Sequence, residues 1–487
     1  MADLLYTHGV RPSVRFHHAR RTQRSGTAQL GKVCIIGAFP TVSETLLRFK
    51  DLQSAREALN ITPDKNDLKM IRSTPDSDLV ANPNYYVGAG ALRWAFLQGT
   101  NIAGASEVLV CNITTHELTV EEDANENQII QEHCENGVHF YNTTLTHEVL
   151  LQGTGNDVQE HPLDKLDIAL SKLKGEEFDS LIFAYDLNAN THEATGTYDE
   201  DGRDEGLVTI LEKLKQFTHD NYTVKNPFGL YLGLDIPPSD TESAVTVAPA
   251  TVGGSVVDSV VDTNRSKVID RKLAEKYADI FSDPIHNAHS LYAMVCMGIK
   301  TSLRDYTLST VETAAYLCGV ESGLPVDTIM GQRELPYVTG VEEELNYDPY
   351  YKDANDVQND GIYLLASGIT CFECINRTNN TWAIVNSEQP CGYDISHLRT
   401  SAFIIKQIAL TPFLCNLNYD VTRESVDSVI ASIKDKYVER FPGVISIEHH
   451  IEEKRNPKCI EIYLYINFYG IIIDEIVYVA MGVEDDE

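Results

Sequence analysis

The sequence predicts a mixed α/β protein built from several packed units. Its 487 residues are too many for one ordinary core and suggest two to four. At 43% apolar and 23% charged, the composition is that of a globular chain and not of a disordered or collagen-like one. Short apolar β runs alternate with amphipathic helical stretches, a rhythm that implies a largely parallel sheet with crossover helices.

The first strand is Lys32–Phe39 (KVCIIGAF), an apolar run closed by Pro40. A helix capped by Ser43 is expected through Leu59, and a second from Ala89 to Gln98. Glu107–Ile113 (EVLVCNI) is the next strand. Residues 116–164 hold eleven Asp or Glu and no Lys or Arg, with short β runs at Val138–Tyr141 and Glu148–Leu151. They read as a mostly β surface insertion. The α/β rhythm then resumes with a helix over 163–174, strand Ser180–Tyr185, a helix over 205–217 and strand Gly229–Leu234. Pro237–Ser259 fits either a long loop or irregular strands.

Further on, helices are expected at His286–Thr301 and Ser309–Cys318. A hairpin follows, with arms Tyr363–Ile375 and Trp382–Asn386 around the turn Asn376–Asn380. The last unit reads helix, helix, strand, strand, strand: His397–Leu417, Glu424–Phe441, Val444–His450, Ile460–Phe468 and Ile471–Val483. The expected division is therefore 1–25 an arm, 26–115 the first part of an α/β core, and 116–164 the insertion. Residues 165–388 complete that core, 389–470 form an α+β unit, and 471–487 a final strand with an acidic end.

Charge and motifs exclude several functions. Seventy-two acidic residues against 39 Lys and Arg give a net charge of −33, which disfavours a nucleic-acid binder. The opening residues have no apolar signal region, and Ile462–Val483 is interrupted by Asn467, Asp474 and Glu475, so neither secretion nor membrane insertion is expected. No phosphate-binding loop, nucleophile elbow or zinc-protease helix occurs. His449 and His450 are neighbours on a strand, point to opposite faces, and read as surface residues. The acidic turn Asp199–Asp204 lacks the later Glu of a calcium loop. Cys371 and Cys374 lack the second pair of a zinc site and the helix of a redox motif. No catalytic trio assembles, and no cofactor or metal is called for.

The two ends are distinctive. Arg11, Arg15, Arg20, Arg21 and Arg24 face only Asp3, while Val10, Val14 and Phe16 alternate with polar neighbours as on an edge strand. Ile476–Val483 is apolar and β-rich, and such a strand invites aggregation unless something pairs with it. It either completes its own sheet or docks in a neighbouring copy.

With these parts the chain resembles contractile tail sheath proteins of myophages and related injection particles. The resemblance rests on the arm followed by Gly31–Phe39, on Ala89–Gly99 leading to Ala105–Ile113, on Leu364–Thr370 with its hairpin, and on the closing helix–helix–β–β–β unit. It implies a subtilisin-like α/β core without catalytic residues, an outward-facing insertion and exchanged terminal strands. The implied linker residues are Val10, Arg11, Val14, Arg15 and Phe16 in one arm. In the other they are Ile476, Val477, Tyr478, Val479, Met481 and Val483. The implied partners are further copies of the chain, six to a ring, with a tail tube, a baseplate and a terminator protein. Such a subunit is non-enzymatic, is assembled in the host cytoplasm and resides in the virion tail. Cys371, Cys374 or others are candidates for inter-subunit disulfides in a released particle. A static coat or surface-layer protein, or an α/β hydrolase, are the alternatives.

Overall fold

In the computed structural model the described residues are 30–37, 39, 46–59, 61, 87–97, 99–113, 121–122, 128–129, 133–135, 138–140, 162–188, 205–223, 226–235, 251–252, 255–256, 277–282, 291–303, 307–347, 360–409, 423–455 and 458–469. In chain order the first elements are β1 (Lys32–Gly37), β2 (Leu47–Phe49), α1 (Leu52–Ala58), α2 (Val87–Ala95) and β3 (Glu107–Asn112). Within the insertion lie β4 (Glu121–Glu122), β5 (Gln128–Ile129), β6 (His133–Glu135) and β7 (Val138–Phe140). Then come α3 (Pro162–Leu173), β8 (Ser180–Asn188), α4 (Glu205–Thr223) and β9 (Gly229–Asp235). The short pair β10 (Thr251–Val252) and β11 (Ser255–Val256) precedes β12 (Leu291–Val295) and β13 (Ile299–Thr301). The chain continues through α5 (Thr310–Ser322), β14 (Val338–Val341), α6 (Asp360–Ala366), β15 (Phe372–Asn376) and β16 (Thr381–Ile384). It closes with α7 (Ile395–Ala409), α8 (Arg423–Arg440), β17 (Val444–Arg455) and β18 (Lys458–Phe468).

The fold is mixed α/β. Six strands form one sheet in the order β12–β9–β8–β1–β3–β2. The pairings from β12 to β3 are all parallel, and only β2 runs antiparallel, at the edge beside β3. Parallel sheets are covered on both faces, so their strands are continuously apolar. That is why Val33, Cys34, Ile35 and Ile36 are all fully buried. Helix α5 runs through the same core with every residue buried. Its start is fixed by a capping box in which the Glu312 N–H donates to Ser309 Oγ and the Ser309 N–H donates to the Glu312 carboxylate. Two glycines permit its close seat. A Cβ on Gly233 of β9 would lie 2.3 Å from the Val311 nitrogen, and one on Gly319 would lie 2.4 Å from the Trp94 carbonyl oxygen.

Three expectations need correction. Residues 291–301 form two strands and not a helix, because each residue of the LYAMV run is buried and β12 takes up the edge beside β9. A short apolar run buried all round has no periodicity to tell helix from strand. The helix expected from Ser43 begins only at Leu52, where the Asp51 carboxylate accepts from the Ser54 N–H; Leu47–Phe49 instead pairs with β3. Ser43 itself lies outside the described residues. The first arm of the expected hairpin begins as the end of α6, where the Ser367 N–H donates to the Tyr363 carbonyl; only Phe372–Asn376 pairs with Thr381–Ile384. Inside the expected insertion, the described residues form two small antiparallel pairs, β4–β5 and β6–β7.

The buried side chains fall into two clusters. The larger fills both sides of the parallel sheet and extends to Ile395 and Leu398 of α7. The smaller joins Phe403, Ile404 and Ile408 of α7 to Val426, Ile430 and Tyr437 of α8 and to Val444, Ile447 and Ile451 of β17. Leu30 also belongs to it. Helix α7 is thus shared, its first half in one core and its second half in the other.

Candidate assembly interface

Helix α7 joins the two cores through charge as well as apolar contact. It opens at Asp394, whose Oδ1 accepts from the Ser396 N–H at 2.7 Å. One turn later Arg399 enters the large core, with both it and Glu321 of α5 only 1% exposed. The guanidinium Nη2 donates to the backbone carbonyls of Glu321 and Leu324, while its Nε stands 3.9 Å from Glu321 Oε2. That oxygen also accepts from the Tyr231 hydroxyl at 2.5 Å. Glu321 Oε1 and Arg399 Nη1 have no hydrogen-bond partner among the described residues. Burial outweighs the long ion pair and pushes the Glu321 carboxyl up to about 7. Two turns further, the Lys406 ammonium reaches Asp179 Oδ1 at 2.8 Å, while Asp179 Oδ2 accepts from the Lys32 N–H at 3.0 Å. One carboxylate therefore ties the start of β1 to α7.

Beyond α7 stands the hairpin β17–β18, strands of twelve and eleven residues in antiparallel register. Its period of two assigns the faces. Ile447, His449 and Ile451 are paired with Ile466, Leu464 and Ile462 and face α7 and α8. Phe403 closes this small core edge to face against Tyr437 and Phe441, with Phe403 and Tyr437 rings 6.2 Å apart at 90°. His449 belongs to the inner face. A lysine can only donate, so the Lys434 ammonium donates to His449 Nδ1 and the His449 Nε2–H donates to Asp427 Oδ1 at 2.8 Å. Of the two histidines read as surface residues, only His450 is exposed.

The outer face carries Glu448 opposite Tyr465 and His450 opposite Tyr463, with Glu452 beyond. Tyr465 is 56% exposed and Tyr469 59%, and Ile445 and Tyr463 are exposed as well. Half of the exposed large apolar side chains of the described residues therefore sit on this hairpin or, as Tyr469 does, directly after it. Among the described residues, β17 and β18 pair only with each other, leaving two long outer edges. Such edges are templates for another strand.

The linker residues Val10–Phe16 and Ile476–Val483 lie outside the described residues. Leu30, the first described residue, and Phe468, the last residue of β18, do not. Leu30 is buried in the small core, and Phe468 packs against the same core with the His397 ring stacked on it at 4.4 Å. Both segments join the chain at the unit with the open edges. Cys371 is buried and Cys374 partly accessible, and both are free thiols. Burial pushes the Cys371 thiol up, which makes it a poor nucleophile. The Glu321–Arg399 pair and the role of Leu30 escaped sequence reasoning. Glu321, the second glutamate in the apolar pattern of α5 after the capping Glu312, was the one available signal.

Among the described residues no cluster of three or more His, Cys, Asp or Glu could hold a metal, and no helix is long and apolar enough to cross a membrane.

No family model and no curated protein matches this sequence. Among solved structures, the chain is similar to a sheath tail protein from Desulfitobacterium hafniense at 9% identity and a TM-score of 0.43, covering 93% of this chain and all of that one. A sheath tail protein from Listeria innocua matches at 10% identity and 0.45, over 91% of this chain and 95% of that one. A chain of the anti-feeding prophage baseplate matches at 12% identity and 0.47, over 97% and 99%. At these identities the likeness concerns the fold alone.

Proposed function

We propose that this chain is the structural, non-enzymatic subunit of a contractile tail sheath, polymerising as a helix of six-membered rings around a tail tube. The observation that carries this reading is the β17–β18 hairpin, long, backed by helices on one face and without a strand partner on either outer edge among the described residues. Segments 1–29 and 470–487 adjoin the same small core, so each can reach a neighbour's hairpin while its own stays free for another. A strand given by one copy and accepted by the next is a heterologous contact, and such contacts propagate into rings and helices. Four to six backbone hydrogen bonds, at about 1 kcal/mol net each, tether neighbours firmly enough to survive rearrangement elsewhere.

In this reading the parallel-sheet core and the insertion face outward and supply interfaces with two packing states. Assembly stores the free energy, a baseplate trigger releases it, and the shortening sheath drives the tube through a cell envelope. A terminator protein caps the far end. Assembly takes place in the host cytoplasm and ends in the virion tail.

Deletion of residues 1–20 tests the tethers. The truncated chain should remain a folded monomer by circular dichroism and fail to form the striated hollow cylinders of the full chain in electron micrographs. Cylinders built normally by the truncation, or flat lattices built by the full chain, would overturn the reading.

A further inference from the structure

Two thiols stand in register across a seam inside the large core. Opposite β9, strand β12 has a second neighbour: a parallel bridge joins Val295 to Thr370, and the Thr370 N–H donates to the Met294 carbonyl at 3.0 Å. Here the parallel sheet meets the segment that leads into the β15–β16 hairpin. One position further along both segments come Cys296 and Cys371, which alternation turns to the same face. Both are thiols, Cys296 7% exposed and Cys371 fully buried. Tyr347 completes the cluster. Its hydroxyl donates to the Phe372 carbonyl at 3.1 Å and lies within hydrogen-bonding reach of the Cys371 sulfur.

We propose that Cys296 and Cys371 are an oxidisable pair whose intramolecular disulfide fastens the β15–β16 hairpin to the edge of the parallel sheet. This goes beyond the sheath reading and does not rest on it. Neighbouring strands lie about 4.8 Å apart, within the roughly 4.4–6.8 Å between Cα atoms that a disulfide spans. The buried cysteines of β1 and β3 fail the same test. Cys34 is opposite Leu109 and Cys111 opposite Ile36, which sets the two thiols on a diagonal of about 7–8 Å. Burial pushes the Cys371 thiol up, a charge on Cys296 pushes it further, and the Tyr347 hydroxyl pulls it back. Cys296, the less buried, therefore meets the oxidant first. With hydrogen peroxide, the Cys296 thiolate attacks one oxygen, the O–O bond breaks, and a sulfenic acid forms as hydroxide leaves. The Cys371 thiolate, steadied by Tyr347, then attacks the Cys296 sulfur and expels a second hydroxide. Each hydroxide takes up a thiol proton, so two thiols and one peroxide give one disulfide and two waters. A reducing cytosol keeps the pair as thiols, and the lock closes where reductants are lost. Cys371 presents no surface to another copy, which turns its chemistry inward.

The test treats the folded full chain with hydrogen peroxide, alkylates the remaining thiols in denaturant and maps the peptides by mass spectrometry. A Cys296–Cys371 peptide, lighter by two hydrogens than its separate halves, should appear in the monomer and vanish with dithiothreitol. The oxidised chain should melt several degrees above the reduced one, because the crosslink closes a long loop. Cys296→Ala should abolish both changes, and Cys374→Ala should leave both in place. Recovery of Cys296 and Cys371 as alkylated thiols overturns the proposal. So does Cys296 carried on to sulfinic acid beside an unchanged Cys371, or Cys371 linked to Cys374 or to a second chain. The peptide map of the unsubstituted chain decides among these outcomes even if a variant fails to fold.

Discussion

The parallel sheet and the β17–β18 hairpin both use strands rich in Ile, Leu and Val, yet their surroundings differ. In the sheet, every residue of β12 is buried and both faces are covered. In the hairpin one face is buried, the other exposes tyrosines, and the outer edges have no partner among the described residues. A closed sheet stores stability inside one copy, whereas an open hairpin reserves part of its bonding capacity for another. Both can serve one chain because α7 belongs to both cores. Arg399 and Lys406 fasten that shared helix to the sheet core.

Breaking that connection should have the largest effect. Arg399→Met leaves the Glu321 carboxyl buried without its cation, and removing one partner of a buried pair costs roughly 3–5 kcal/mol. Differential scanning calorimetry should show a fall of several degrees in the transition of the sheet core. The same site predicts a pH dependence. The Glu321 carboxyl is raised by burial from 4.5 to about 7, so the native state binds more protons than the unfolded state between those values. Its contribution is full below about pH 4.5, is lost as pH rises towards 7, and is constant above. Glu321→Gln should flatten that part of the stability curve in denaturant titrations between pH 5 and 8.

The next effect falls on the other core alone. Phe403 packs against Tyr437 and Phe441, and Phe403→Ala removes the α7 ring that both of these α8-side rings meet. A cost of about 3 kcal/mol is expected. Hydrogen exchange should quicken in α8, β17 and β18 while β1, β8 and β9 keep their protection. Equal loss in both regions would show that the two cores unfold as one.

What the sequence revealed divides along the same line. Strands β1, β3 and β9 were legible because each is an apolar run closed by turn-forming residues. Helix α5 was expected at Ser309–Cys318, and the structure carries it on to Ser322. Strand β12 was not, because a run buried on all sides has lost the alternation that marks a strand. The open hairpin kept that alternation, and β17 and β18 were found from it, only shorter than they are. Contacts distant in sequence left little trace: Arg399 meets the Glu321 carbonyl 78 residues away, and only a glutamate late in an apolar helix hinted at it. Nothing in the residues around Leu30 marked it for the smaller core, where its burial depends on α7 and α8.

The smallest effect on the isolated chain is expected at Tyr465, and there the comparison is sharpest. Its ring lies on the outer face opposite Glu448, 56% exposed. Tyr465→Ser removes little that is buried, so monomer stability should move by no more than about 0.5 kcal/mol in urea titrations. If the outer face receives a neighbour's arginine, the ring supplies a cation–π surface beside Glu448, and such contacts contribute about 0.5–1 kcal/mol at exposed sites. The same variant should therefore raise the critical concentration for polymerisation about two- to fivefold while its melt is unchanged. An equal change in both measurements would mean that the tyrosine stabilises its own hairpin. No change in either would remove it from the accepting surface.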